Sequence, residues 1–168
     1  MSNIVLIGFM GCGKTTVGIR LSYAMRRAFL DTDKLIEKEQ EKEISRIFAQ
    51  EGEEKFRQLE TEMLEKLAGT EQDRIIATGG GTPVRKENRS LLKKLGQVVY
   101  LEAKPETVYE RVKEDTKRPL LQCERPLERI RELMEVREEA YREAADMVIS
   151  VDGKDFETIV KEIEEKSK

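Results

Sequence analysis

Short apolar runs alternate with amphipathic stretches along most of this chain. The runs are residues 4–7 (Ile-Val-Leu-Ile), 74–77 (Arg-Ile-Ile-Ala), 98–101 (Val-Val-Tyr-Leu) and 147–151 (Met-Val-Ile-Ser-Val), with Phe29-Leu30 as a briefer fifth. Lengths of this order suit buried parallel strands. Between them apolar residues recur at helical spacing: Val17, Leu21 and Met25; Phe56, Leu59, Met63, Leu64 and Leu67; Val108 and Val112; Ile130, Leu133 and Met134; Ile159, Val160 and Ile163. The alternation predicts an α/β fold of three layers, a mostly parallel sheet between helices, with ligands at the carboxyl ends of the strands. Pro105 fits a first helical turn after a strand, and Ser45 is predicted to cap a short helix containing Ile47 and Phe48. Residues 115–128 lose the periodicity and hold two Arg-Pro pairs and Cys123, so a mobile loop is expected there.

Composition narrows the chemistry. At 168 residues one domain is expected. Charged residues make up 39% and hydrophobic residues 38%, which predicts charge-coated helices around a small buried sheet. A net charge of −3 with no basic stripe argues against nucleic acid as a partner. The run at 4–7 ends in glycine and is too short for a signal peptide or membrane span, so a cytoplasmic protein is expected. Cys12 and Cys123 are too few for a disulfide framework or structural zinc. The sequence contains no histidine, which leaves Asp, Glu, Lys or water as general base and excludes a Ser-His-Asp hydrolase.

The segment Gly8-Phe9-Met10-Gly11-Cys12-Gly13-Lys14-Thr15 matches G-x-x-x-x-G-K-[ST], with a strand pattern before it and a helical pattern after it. Glycines let the backbone wrap phosphate oxygens with its N–H groups, and the helix adds the positive end of its dipole. Lys14 is expected to reach the β- and γ-phosphates and Thr15 to ligate Mg²⁺. A chance match in a chain of this length has odds of roughly one in a hundred before the strand-turn-helix context is required.

Many P-loop enzymes carry a second aspartate at the end of another strand. Here the third run leads into Thr78-Gly79-Gly80-Gly81, which has no carboxylate. Asp31-Thr32-Asp33 after the second strand is the candidate, with Asp31 suited to the metal and Asp33 to a substrate hydroxyl. The competing reading is that Asp31 or Asp33 caps the helix beginning near Lys34. Three consecutive glycines after a strand imply close backbone approach, for which a substrate resting on bare backbone is the better explanation than a tight turn. Cys12, near a helix N-terminus and Lys14, either fills a P-loop position as a small residue or is a reactive thiol that nucleotide would shield.

These residues together resemble the shikimate kinase family across nearly the whole chain. The likeness rests on residues 8–15, Asp31-Thr32-Asp33, Phe56-Arg57 with Glu60, Thr78-Gly79-Gly80-Gly81, Arg118-Pro119-Leu120-Leu121, and Arg137 followed four residues later by Tyr141. The resemblance implies a nucleoside-monophosphate-kinase-like fold with a five-stranded parallel sheet and a mobile lid near 115–128. It implies ATP with Mg²⁺ as donor, the 3-hydroxyl of shikimate as acceptor, and a substrate-binding region near 33–61. Carried over by position, Lys14, Asp33 and Arg118 are the catalytic set. Gly11, Cys12, Gly13, Lys14, Thr15, Thr16, Arg111 and Arg118 would bind ATP, and Asp33, Arg57, Gly79, Gly80, Gly81 and Arg137 would bind shikimate. Thr15, and Asp31 through water, would hold the metal. A monomer without nucleic-acid or membrane partners is expected. Val151-Asp152-Gly153-Lys154 departs from the family pattern by lacking a proline near the adenine. Rival readings are a gluconate-type or nucleoside-monophosphate kinase of the same fold, or an idle nucleotide-binding module.

Overall fold

A computed structural model of the chain describes residues 3–70, 72–113 and 124–167. The elements run β1 (Asn3–Ile7), α1 (Lys14–Met25), β2 (Ala28–Asp31), α2 (Thr32–Gln40), α3 (Ile44–Glu51), α4 (Glu53–Ala68) and β3 (Arg74–Ala77). They continue through a 3-10 turn (Thr82–Val84), α5 (Lys86–Leu95), β4 (Gly96–Glu102), α6 (Pro105–Val112), α7 (Pro126–Ala144), β5 (Met147–Ser150) and α8 (Phe156–Lys166).

All five apolar runs become strands, and they pair in the order β2-β3-β1-β4-β5 with every pair parallel. The central strand β1 is buried along its whole length, which is why residues 4–7 form a continuous apolar run instead of an alternation. The buried Asn3 side chain before them is satisfied by the Leu95 carbonyl and the Arg74 N–H. Val5 sits between Ile76 of β3 and Val98 of β4. Helices α1 and α8 pack together on one face of the sheet, and α5 and α7 on the other. The core they enclose includes Leu6, Val17, Leu21, Leu92, Val99, Ile130 and Ile159. Withdrawing each large side chain of this kind from water contributes about 1.5–3 kcal/mol. Helices α2, α3 and α4 form the excursion between β2 and β3, and α4 rests on α5.

The strand order has a direct consequence for chemistry. The loops leaving β2, β3 and β1 emerge side by side, so the Asp31-Thr32-Asp33 segment, the glycine run and the P-loop share one edge of the molecule. The loops leaving β4 and β5 emerge on the far side of the P-loop.

Several local expectations change. Ser45 is not a cap: α3 starts one residue earlier, with Glu43 at the N-cap position and no side-chain cap there. The Ile44 N–H instead donates to the Glu37 carboxylate at 3.0 Å, so α2 supplies the partner from outside the segment. Residues 126–128 are not loop but the first turn of α7, with Pro126 at a position where its missing N–H costs nothing. Pro105 occupies the equivalent place in α6, as its sequence context predicts. Helix α5, whose Asn88, Leu92 and Leu95 are buried, goes unnoticed in the apolar pattern.

Candidate active site

The P-loop leaves the buried end of β1 and turns into α1. Gly11 and Gly13 take φ of 77° and 97°, a left-handed region that an L side chain resists. A Cβ on Gly13 would also stand 2.8 Å from the Arg111 guanidinium. No side chain caps α1, so its first-turn N–H groups, next to exposed Thr15 and Thr16, are left for an anion. The Lys14 ammonium folds back into the loop, donating to the carbonyls of Gly8 at 2.6 Å and Phe9 at 3.1 Å. Cys12 is fully buried, with Sγ 3.8 Å from Lys14 Nζ. Burial favours the small-residue reading of Cys12 over the reactive thiol, because a reagent would first have to open the loop.

Asp31 ends β2 and caps α2, its Oδ1 accepting the N–H groups of Asp33 at 2.9 Å and Lys34 at 3.4 Å. The capping reading therefore holds for Asp31, while its second oxygen takes no part in the cap. Asp33, in the first turn of α2, does something else. Its Oδ1 is buried without a hydrogen-bond partner among the described residues. Burial, then the Glu60 and Asp31 carboxylates, push its pKa up to about 7 against the opposing pull of Lys14.

Arg57 and Glu60 lie one turn apart on α4. Glu60 is 2% exposed and accepts the Arg57 Nη1–H at 2.7 Å on one oxygen and the Thr82 hydroxyl at 2.7 Å on the other. Burial works to lower the Arg57 pKa, but Glu60 and then Glu53 outweigh it and hold the guanidinium above its ordinary value. The glycine run has a sharper cause than a bare floor for substrate. A Cβ on Gly81 would overlap the Arg57 guanidinium, and one on Gly79 would crowd Asp33 and Glu60. The glycines make room first for the site's own charged side chains. Gly80 backs onto the P-loop, where a Cβ would stand 3.2 Å from the Met10 backbone nitrogen. Its carbonyl accepts the Tyr141 hydroxyl at 2.6 Å. Burial pushes the Tyr141 pKa up to about 12 despite the neighbouring Arg137. Arg137, one turn earlier on α7 and 9% exposed, stacks over Phe9 at 5.6 Å.

On the other side of the P-loop, Arg111 of α6 and Arg20 of α1 both lie over the ring of Phe156, at 5.4 and 5.2 Å. Phe156 was invisible as a site residue in the sequence, since a lone phenylalanine opening a helix reads as core. Thr82 and Asn88 carry no motif of their own, and their place in the site comes from partners on α4, Glu60 for Thr82 and Thr61 for Asn88. Arg118 lies outside the described residues, as does Cys123. An open groove of about 780 Å³ between the start of α6 and α7, lined by Glu102, Lys104, Pro105, Arg131, Met134 and Glu138, shares no residue with this site. Its mixed, largely acidic wall offers no phosphate cradle. Among the described residues no helix is long and apolar enough to cross a membrane.

A P-loop on the central strand, with a carboxylate and two arginines gathered over the adjoining glycine loop, defines a small-molecule kinase of the nucleoside-monophosphate-kinase-like fold. The chain belongs to the shikimate kinase family, whose model, described as Shikimate kinase, matches residues 10–168. It is 47% identical over 162 residues to a shikimate kinase of Thioalkalivibrio sulfidiphilus, covering 96% of this chain and 85% of that protein. It is 46% identical over 163 residues to a shikimate kinase of Thermodesulfovibrio yellowstonii, covering 97% and 93%. Among solved structures, shikimate kinase from Acinetobacter baumannii in complex with shikimate superposes with a TM-score of 0.93 at 39% identity, covering 99% of this chain and 93% of that one.

Proposed function

We propose that this chain transfers the γ-phosphoryl group of ATP to the 3-hydroxyl of shikimate, giving shikimate 3-phosphate and ADP in the route to chorismate and the aromatic amino acids. The observation that carries the reading is the position of Gly80, which touches the phosphate loop at Met10 while its neighbours Gly79 and Gly81 receive Asp33, Glu60 and Arg57. Donor and acceptor loops are thus in contact, as direct transfer between two bound substrates requires. The relatives' names and the shikimate bound to the Acinetobacter baumannii protein support the choice of acceptor.

Shikimate carries one carboxylate and three hydroxyls. Arg57 and Arg137 pair with the carboxylate, and Asp33 with the N–H groups of Gly79, Gly80 and Gly81 holds the hydroxyl side. The unpartnered Oδ1 of Asp33 fits this role, since a substrate hydroxyl would supply the hydrogen bond it lacks. The 3-hydroxyl oxygen then forms a bond to the γ-phosphorus as the bond to the ADP oxygen breaks, and its proton passes to Asp33. Lys14 leaves the Gly8 and Phe9 carbonyls to meet the phosphate oxygens, where the transferring charge gathers. Gly11, Cys12, Gly13, Thr15 and Thr16 line the phosphate path, and Arg111, backed by Phe156, lies against the base. Arg118, whose role rests on the resemblance alone, completes the charge clamp from the lid.

Mg²⁺ suits the donor set available here: the exposed Thr15 hydroxyl and the Asp31 oxygen outside the helix cap are hard ligands of the kind this ion takes alongside nucleotide phosphates. When bound it neutralises charge on the β- and γ-oxygens. The chain forms one P-loop kinase domain over residues 1–168, with a substrate-binding region near 33–61 and a lid that begins near 115 and ends before Pro126, where α7 starts. The enzyme works as a cytoplasmic monomer. ADP release measured with shikimate, gluconate and nucleoside monophosphates in parallel tests the function. Turnover with shikimate is expected, and turnover only with one of the others would overturn the assignment.

A further inference from the structure

Behind the acceptor loop lies a buried polar chain that the roles above do not use. Thr82 is 1% exposed, Asn88 0% and Thr61 7%. The Thr82 hydroxyl donates to Glu60 Oε2 at 2.7 Å, and the Thr82 carbonyl accepts from Asn88 Nδ2 at 2.9 Å. The Thr61 hydroxyl lies 2.7 Å from Asn88 Oδ1 and 3.1 Å from the carbonyl of Arg57. The Thr82 N–H donates to the Gly79 carbonyl at 3.2 Å. The path thus leaves α4 at Thr61, crosses to α5 at Asn88, passes through the first residue after the glycine run, and returns to α4 at Glu60. Buried polar groups are costly unless every member is satisfied, so such a chain has essentially one arrangement.

Taking Arg57 and Glu60 as part of a shikimate site, as proposed above, we infer that Thr82 is a positioning residue for the acceptor, acting through Glu60 to set the Arg57 guanidinium over Gly81. The geometry gives the reason. Glu60 offers one oxygen to Arg57 and the other to Thr82. With both oxygens engaged, Glu60 meets Arg57 through a single oxygen at Nη1. Nη2 makes only a longer contact, 3.4 Å, to the exposed Glu53 carboxylate, and the remaining N–H capacity is kept for an incoming carboxylate. Without the hydroxyl, Glu60 Oε2 is buried with no donor, facing Asp33 across Gly79. Glu60 is then drawn to turn both oxygens onto Arg57, its strongest neighbouring donor, which withdraws the guanidinium from the substrate. The N-terminal residue of an ordinary 3-10 turn thereby sets affinity for the acceptor while touching neither substrate.

The test compares wild type with Thr82→Val, which replaces the hydroxyl by a methyl group of similar size, and Thr82→Ser, which restores it. Thr82→Val is expected to raise the KM for shikimate at least tenfold with the KM for ATP unchanged and kcat lowered less, and Thr82→Ser to return shikimate KM to near the wild-type value. Melting temperatures with and without shikimate, in the absence of nucleotide, provide a second readout: the stabilisation by shikimate should shrink in Thr82→Val and recover in Thr82→Ser. A purely structural role would lower the melting temperature of Thr82→Val without changing the shikimate increment, and that result, or an unchanged shikimate KM, would overturn the inference. Wild-type enzyme that fails to turn over shikimate would instead overturn the assigned function, so the two failures are distinguishable.

Discussion

The carboxylates of Asp33 and Glu60 converge on Gly79, where a Cβ would lie 2.8 Å from Asp33 Oδ1 and 3.0 Å from Glu60 Oε2. Burial first, and then the repulsion of the facing carboxylate, keep one of the two reluctant to ionise. That one is Asp33, raised from 3.8 to about 7. Because its folded pKa lies above the unfolded one, the stability linked to its proton is fully present below about pH 4 and is lost as pH climbs through 7. In ligand-free and metal-free protein, Asp33→Asn removes this loss. The variant is expected to be more stable than wild type at pH 8, by on the order of 2–4 kcal/mol, with the gain vanishing toward pH 4. Transfer to shikimate should be all but abolished in the same variant. Denaturant melts across this pH range check the prediction, and a gain independent of pH would contradict it.

Arg57 and Glu60 form a pair in which the carboxylate is almost entirely shut off from water. Removing one partner of such a pair strands the other, at a cost of about 3 kcal/mol or more. Arg57→Ala should therefore destabilise the fold as well as raise the KM for shikimate. Adding Glu60→Gln removes the stranded charge, and the double variant is expected to recover most of the stability but none of the affinity. Thermal melts read the first effect and steady-state kinetics the second. Recovery of both together would mean that Arg57 serves only as a counter-ion.

Phe156 supports two arginines from α1 and α6 beside Gly13 of the phosphate loop. A cation over an aromatic ring gains about 0.5–1 kcal/mol at a site of this exposure. Phe156→Leu keeps the apolar contact with the core and loses the ring. It should raise the KM for ATP by roughly three- to fivefold and leave that for shikimate unchanged. An equal rise in both constants would assign Phe156 to folding instead of to the nucleotide.

The residues that could be read from the sequence are those whose role depends on local spacing. The P-loop is contiguous, the strands are apolar runs because both faces of the sheet are covered, and Asp33 follows its strand by two positions. The residues that stayed hidden owe their role to partners on other elements, brought near by the fold. Glu37 caps α3 because α2 turns back at Glu41, displacing Ser45 from a task that its type suits well. Asn88 reaches Thr61 across 27 positions, and Phe156 meets Arg20 only when α8 docks beside α1. Asp31 lies between these cases: the two readings open to it in sequence are compatible in space, because the cap engages Oδ1 and leaves Oδ2 outside it.

Lys14 connects the resting form of the loop to the reaction. The residue is 9% exposed, and its ammonium is held by the Gly8 and Phe9 carbonyls within the space that phosphate oxygens would otherwise face. Nucleotide must draw it out of these bonds, and the same charge then meets the oxygens of the group in flight, where a fixed cation is worth most. Lys14→Met keeps the length of the stem and removes the charge, so kcat should fall about a thousandfold while shikimate binding without nucleotide stays as in wild type. Lys14→Arg keeps the charge but places a broad planar group in a cavity walled by two carbonyls and the buried Cys12 thiol. It should recover little of the activity. Single-turnover kinetics with both variants provide the measurement. Near wild-type transfer by Lys14→Arg would show that a positive charge anywhere in the loop suffices, and a kcat within tenfold of wild type for Lys14→Met would remove Lys14 from the catalytic set.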